Sequence, residues 1–102
     1  MIQIAPFVDL VFVYMPGCDA CEEAMPEIDK LGSQVPSLMV LKIQADGPLV
    51  SRLLGRVKIK ATPTYVLRVG GQGYVHEGAM TAKQVKEWMQ KITEGEDDDD
   101  QE

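Results

Sequence analysis

A mixed α/β sheet of about four strands, flanked by helices on both faces, is what this sequence predicts. Three observations carry that expectation. Apolar runs at 7–14 and 38–43 are each followed by a segment with helical character, the order of parallel strands joined by a crossover helix. Gly70-Gly71 separates two short strand-like segments, which predicts an antiparallel hairpin. A third helical pattern with a strong start signal follows the hairpin.

Phe7-Val8-Asp9-Leu10-Val11-Phe12-Val13-Tyr14, bounded by Pro6 and by Pro16-Gly17, has the length and composition of a buried strand. Asp9 within it is expected at an exposed strand end, the commoner setting for a carboxylate, with a buried acid as the alternative. Ahead of it, Ile2 and Ile4 alternate with Gln3 and allow a brief edge strand ended by Pro6.

A helix is expected from Cys18 to about Leu31. Asp19, Glu22 and Glu23 crowd its first turn, where the helix dipole favours anions. Ala20, Ala24, Ile28 and Leu31 give an apolar stripe, Pro26 should kink it, and Gly32-Ser33 should end it. Leu38-Met39-Val40-Leu41-Lys42-Ile43 is nearly continuous in apolar residues, which predicts a strand covered on both faces.

Asp46-Gly47-Pro48 signals a turn into a short helix with Leu49, Val50, Leu53 and Leu54 on one face and Gly55 at its end. Arg56-Val57-Lys58-Ile59-Lys60 reads either as a strand or as a basic loop with Val57 and Ile59 tucked inward. Tyr65–Val69 and Tyr74-Val75-His76-Glu77 are the hairpin strands, the second short and on an edge, and Gly78 breaks it. In the last helix Thr81-x-x-Gln84 is a capping-box pattern. Val85, Trp88, Met89 and Ile92 supply its apolar face, and Glu87 and Lys91 have the spacing of a favourable pair.

The chain's 102 residues suffice for one domain, assigned to 1–93, with an acidic tail at 94–102. The tail holds 7 of the 16 acids and no base, so the net charge of −6 belongs to it and the body is nearly neutral. A block of that composition is expected to be disordered and solubilising. No basic stripe interleaved with aromatics points to nucleic acid, and no apolar run is long enough for a bilayer. The N-terminal residues carry no secretory pattern, so a cytoplasmic monomer is the expectation.

Cys18 and Cys21 are the only cysteines. They follow a predicted strand and a Pro-Gly turn and open a predicted helix, the context in which Cys-x-x-Cys reads as redox chemistry. A helix N-terminus offers free backbone N–H groups and a partial positive charge, both of which favour a thiolate there. Cys18 is then the exposed nucleophile, and Cys21, one turn further in, the resolving thiol. A structural disulfide, half of a zinc site with His76 as the sole histidine, and coincidence are the competing readings.

The ordering of elements from Phe7 to Thr93, with Cys18-Asp19-Ala20-Cys21 at the first strand–helix junction, Pro26 in the helix, Thr62-Pro63-Thr64 before the hairpin and Gly78-Ala79-Met80-Thr81 before the last helix, resembles the thioredoxin family. That resemblance implies a thioredoxin-like fold with its N-terminal strand and helix abbreviated to Met1–Pro6. It implies a dithiol oxidoreductase that reduces protein disulfides, with Cys18 and Cys21 catalytic and Gly17, Thr62 and Pro63 at the substrate. Pro63, if cis, would bring the Thr62 backbone beside Cys18. No bound cofactor or metal is implied. The Cys18–Cys21 pair itself carries the electrons, and a reductase such as thioredoxin reductase recycles it.

The departures are specific. Gly17 stands where thioredoxins usually carry tryptophan, and Asp19-Ala20 replaces their Gly-Pro. Phe12 occupies the position of the family's buried aspartate, which would leave Lys42 without its partner. A glutaredoxin-like or oxidase activity, and a thioredoxin-like interaction module without redox turnover, are the alternatives.

Overall fold

The computed structural model describes residues 9–94, in the order β1 (Asp9–Tyr14), α1 (Asp19–Gln34), β2 (Met39–Gln44), α2 (Leu49–Leu54), β3 (Thr64–Val69), β4 (Gln72–Glu77) and α3 (Ala82–Thr93). The proposed N-terminal edge strand and all of the acidic tail beyond Glu94 lie outside the described residues. The sheet order is β2-β1-β3-β4. β1 and β2 are parallel, as the crossover requires, β3 and β4 are antiparallel, as the hairpin requires, and β3 lies antiparallel to β1.

Alternation along β1 divides the core in two. Leu10 and Phe12 face α1 and α3 and pack with Ala24, Ile28, Leu31, Tyr65, Leu67, Val85 and Met89. Val11 and Val13 face the other way and pack with Ile43, Leu54 and Val66 under α2. All four are 0% exposed, so β1 is the central strand and an odd shift in its register would be resisted from both faces.

Several expectations are corrected. Among the described residues β2 is a sheet edge: only Ile43 is buried, and Met39 is 60% exposed. Its two faces are both partly covered, Val40 packing on the α1–α3 side of the core and Leu41 and Ile43 on the α2 side. The helix α1 runs through Gly32 and Ser33 to Gln34. There Val35 caps it by donating to the Leu31 carbonyl, and Pro36 follows. Cys21, rather than Ala20, shares the buried face with Ala24, Ile28 and Leu31. In α2, Leu49 is 46% exposed and only Leu54 is buried. Residues 56–60 form a loop whose Val57 and Ile59 pack on the α2 side of the core.

Asp9 is neither exposed nor an isolated buried acid. The Arg68 guanidinium donates to both of its carboxylate oxygens, at 2.7 and 2.9 Å, and to the Leu53 carbonyl at 2.8 Å. The capping box at Thr81 and Gln84 forms as predicted. The expected Glu87–Lys91 pair is not among the ion pairs of the described residues, which are Lys30–Glu27, Lys42–Asp29 and Arg68–Asp9.

Candidate active site

The C-terminal end of β1 delivers the chain into Met15-Pro16-Gly17, and the turn deposits Cys18 at the start of α1. Gly17 takes φ +78°, a conformation that glycine adopts without the Cβ penalty. Cys18 is the N-cap of α1, with the Met15 carbonyl accepting its N–H at 3.3 Å. Its sulfur accepts the Cys21 N–H at 3.1 Å, so a sulfur fills the role usually taken by an N-cap oxygen. Cys18 is partly exposed and Cys21 is 1% exposed. The two are joined as a disulfide, with their Cα atoms 5.2 Å apart.

Thr62 and Pro63 reach this sulfur from 44 residues away. The Thr62–Pro63 peptide is cis, and the Thr62 carbonyl lies 3.6 Å from Cys18 Sγ. The Thr62 hydroxyl donates to the same sulfur at 3.5 Å. The sequence pointed to the Thr62 backbone; the hydroxyl contact depends on backbone geometry at Pro63 that local sequence does not specify. Two donors converge on Cys18 Sγ and favour a charged sulfur once the disulfide is reduced, while the Thr62 carbonyl accepts from the thiol and works the other way. All the sequence-selected residues, Gly17, Cys18, Cys21, Thr62 and Pro63, meet at one end of the sheet.

Phe12 is 0% exposed on the α1 face, edge-on to Tyr65 with ring centroids 5.3 Å apart and near-parallel to Tyr14 at 6.3 Å. Asp9 cannot substitute for an acid at that position, because it lies on the α2 side and is held by Arg68. Lys42, opposite Phe12 in the register, is drawn to Asp29 of α1 at 2.6 Å. Asp19, Glu22 and Glu23 are exposed along the first turn. Glu27 is committed elsewhere, its carboxylate accepting the Ala82 N–H at 2.8 Å, a bond that holds its proton affinity below the ordinary carboxylate value.

No cluster of three or more His, Cys, Asp or Glu suited to a metal ion occurs among the described residues, and no helix there is long and apolar enough to cross a membrane. His76 is set between Tyr65 and Trp88, at 6.0 and 5.8 Å between ring centroids.

Solved thioredoxins superpose on this architecture. That of Fasciola hepatica matches with a TM-score of 0.70 at 18% identity, covering 85% of this chain and 82% of its own. Chloroplastic thioredoxin z matches with 0.70 at 24%, covering 86% and 80%. The germline-specific thioredoxin Deadhead of Drosophila melanogaster matches with 0.69 at 23%, covering 85% and 82%. This chain has the thioredoxin fold. Its Cys-x-x-Cys and cis-proline stand at the fold's first strand–helix junction and at the start of its hairpin, as the resemblance implied.

No family model matches the chain. Among curated proteins, a protein disulfide isomerase-like protein of Arabidopsis thaliana is 29% identical over 86 residues. The match takes in 82% of this chain, which spans only 16% of that relative's length.

Proposed function

We propose that this chain is a thiol–disulfide oxidoreductase that reduces protein disulfides. The observation that carries the proposal is the convergence on Cys18 Sγ of the Cys21 N–H, the Thr62 hydroxyl and the Thr62 carbonyl, at a partly exposed helix N-terminus. In the reduced protein the Cys18 thiolate attacks one sulfur of a substrate disulfide. A mixed disulfide forms and the other substrate sulfur leaves as a thiolate. Cys21 then loses its proton and attacks Cys18 Sγ. The Cys18–Cys21 disulfide forms, the substrate departs with both sulfurs reduced, and two electrons have left the dithiol. A reductase of the thioredoxin reductase class restores it, in the cytoplasm, with the chain acting as a monomer.

The test is insulin reduction by the parent, Cys18→Ser and Cys21→Ser. Cys18→Ser should abolish turnover and Cys21→Ser should accumulate mixed disulfides. Faster alkylation of Cys18 than of Cys21 in the reduced protein is expected at neutral pH, and equal or reversed labelling would overturn the assignment. A parent that is inert in this assay would support an interaction module instead.

A second reading, disulfide rearrangement, is supported by the burial of Cys21 and by the likeness to a protein disulfide isomerase-like protein of Arabidopsis thaliana. A mixed disulfide that resolves slowly gives the released substrate thiol time to attack elsewhere in the same molecule. Reactivation of scrambled ribonuclease by the reduced protein, outpacing its insulin reduction, would select this reading.

A further inference from the structure

Between α2 and the cis-proline, residues 56–60 run along the α2 side of the sheet as an arm whose exposure alternates. Val57 and Ile59 pack inward on the core, and Arg56, Lys58 and Lys60 are exposed. Where side chains alternate in this way, every second one shares a face and stands about 7 Å from the next, so the three cations form a row. None of the three is in an ion pair among the described residues. The backbone groups of Lys58, Ile59 and Lys60 make no hydrogen bond to other backbone there either.

The row leads to the dithiol. Lys60 is two residues from Thr62, whose hydroxyl and carbonyl meet Cys18 Sγ. On the other side of that sulfur, Asp19, Glu22 and Glu23 are exposed on the first turn of α1, and they too are in no ion pair among the described residues. Cys18 therefore lies between a cationic flank on the α2 side of the sheet and an anionic flank on the α1 side. Carboxylates on an incoming chain are attracted to the first and repelled by the second, which fixes the side on which an acidic segment lies.

The chain has acidic residues of its own beyond Glu94, but α3 ends away from the row. Thr93 lies beside Val35 and Leu38, at the Asp9 end of the sheet and on its α1 side. Lys60 lies at the dithiol end, on the α2 side. A segment of another protein, held at Cys18 through its own cysteine, meets the row directly.

We propose that Arg56, Lys58 and Lys60 are a docking row for an acidic extended segment of the substrate protein, so that this oxidoreductase selects disulfides flanked on one side by Asp and Glu. The proposal rests on the oxidoreductase reading above and adds the substrate class to it.

Disulfide-linked homodimers of four short peptides test it: Asp-Gly-Asp-Gly-Asp before the cysteine or after it, and the Asn counterpart of each. At about 50 mM salt one of the two acidic peptides should show a KM about tenfold below its Asn counterpart, three exposed ion pairs each contributing about twofold. At about 0.5 M salt the gap should close, because exposed charges are then screened. The joint variant Arg56→Gln, Lys58→Gln, Lys60→Gln should close it at low salt, through the KM of the acidic peptide alone. Its kcat, and its rate with the uncharged 2,2′-dithiodipyridine, should stay within about twofold, a readout that a weakened Cys18 thiolate would move. Lys83→Gln with Lys91→Gln, on α3, removes charge elsewhere and should leave the gap in place.

Equal KM values for all four peptides, a gap that persists at high salt, or a joint variant slowed on every substrate would overturn the proposal. Should the joint variant fail to fold, the salt series on the parent decides. Removing residues 95–102 should change the acidic-peptide KM by less than about twofold; a fall of about tenfold would assign the row to the chain's own tail and overturn the choice of occupant. A parent that reduces neither the peptides nor dithiodipyridine overturns the oxidoreductase reading and this proposal together. A parent that reduces all of them alike overturns only this one.

Discussion

Lys42 places its ammonium 2.6 Å from the Asp29 carboxylate, although its register partner on β1 is Phe12. The one cation on β2 is thereby tied to the outer flank of α1. Phe12 fills with a buried aromatic ring the position where the family resemblance expects an aspartate, so that strand position offers the buried Cys21 no carboxylate to receive its proton. Charging a sulfur in such a setting is costly.

The resolving step should therefore be slow near neutral pH and quicken as pH rises. Stopped-flow decay of the mixed disulfide between pH 6 and 9 measures it. Phe12→Asp should raise the neutral-pH rate by about tenfold, the order of general acid–base assistance at its lower end, provided the variant folds. The same substitution should cost roughly 3–5 kcal/mol, since a buried ring is lost and an unpaired carboxylate replaces it. A resolving rate that stays flat in a folded variant would remove Phe12 from the explanation.

Asp9→Asn should weaken the fold by roughly 1–3 kcal/mol, because the Arg68 guanidinium keeps its Leu53 contact but loses its counter-charge in a partly buried site. Insulin reduction should be unchanged, since Asp9 lies at the opposite end of β1 from the dithiol and on the α2 face. Urea unfolding alongside the activity assay decides this, and slowed turnover at full stability would relocate the buried acid.

Thr62→Val removes one of the two donors aimed at Cys18 Sγ and keeps the volume. Alkylation of Cys18 in the reduced protein at pH 7 should slow by about fivefold, the equivalent of about 1 kcal/mol. An unchanged rate would leave the Cys21 N–H and the helix terminus as the groups that matter.

The Glu27–Ala82 bond predicts an acid limit. The folded-state proton affinity of Glu27 lies below its ordinary value of 4.5, chiefly through the Ala82 N–H, with Lys30 adding to it. Its contribution is thus fully present above that ordinary value and is lost as pH falls through the lower, folded-state one. The melting-temperature gap between the parent and Glu27→Ala should be constant above pH 6 and should narrow toward pH 3. A gap that widens in acid would contradict the sign.

By itself, the sequence determined the order of elements, the mixed sheet, the capping box of α3 and the pairing of Cys18 with Cys21. Each of these is set locally, by apolar period, by turn residues and by a spacing of one helical turn. The basic segment at 56–60 stayed ambiguous between strand and loop because alternation without a neighbouring strand does not choose. The Leu38–Ile43 run foretold contacts on both faces, which Val40 and Ile43 make, but not the 60% exposure of Met39, because apolarity records what a strand can bury and not how completely its neighbours cover it. Only the tertiary structure decided that Asp9 answers Arg68, that Lys42 turns to Asp29, that the Thr62 hydroxyl reaches Cys18, and that Tyr65 fastens Met80. Those pairs are separated by 13 to 59 residues. Side-chain polarity permits many such partners, and the strand register and the helix placement on the sheet leave one.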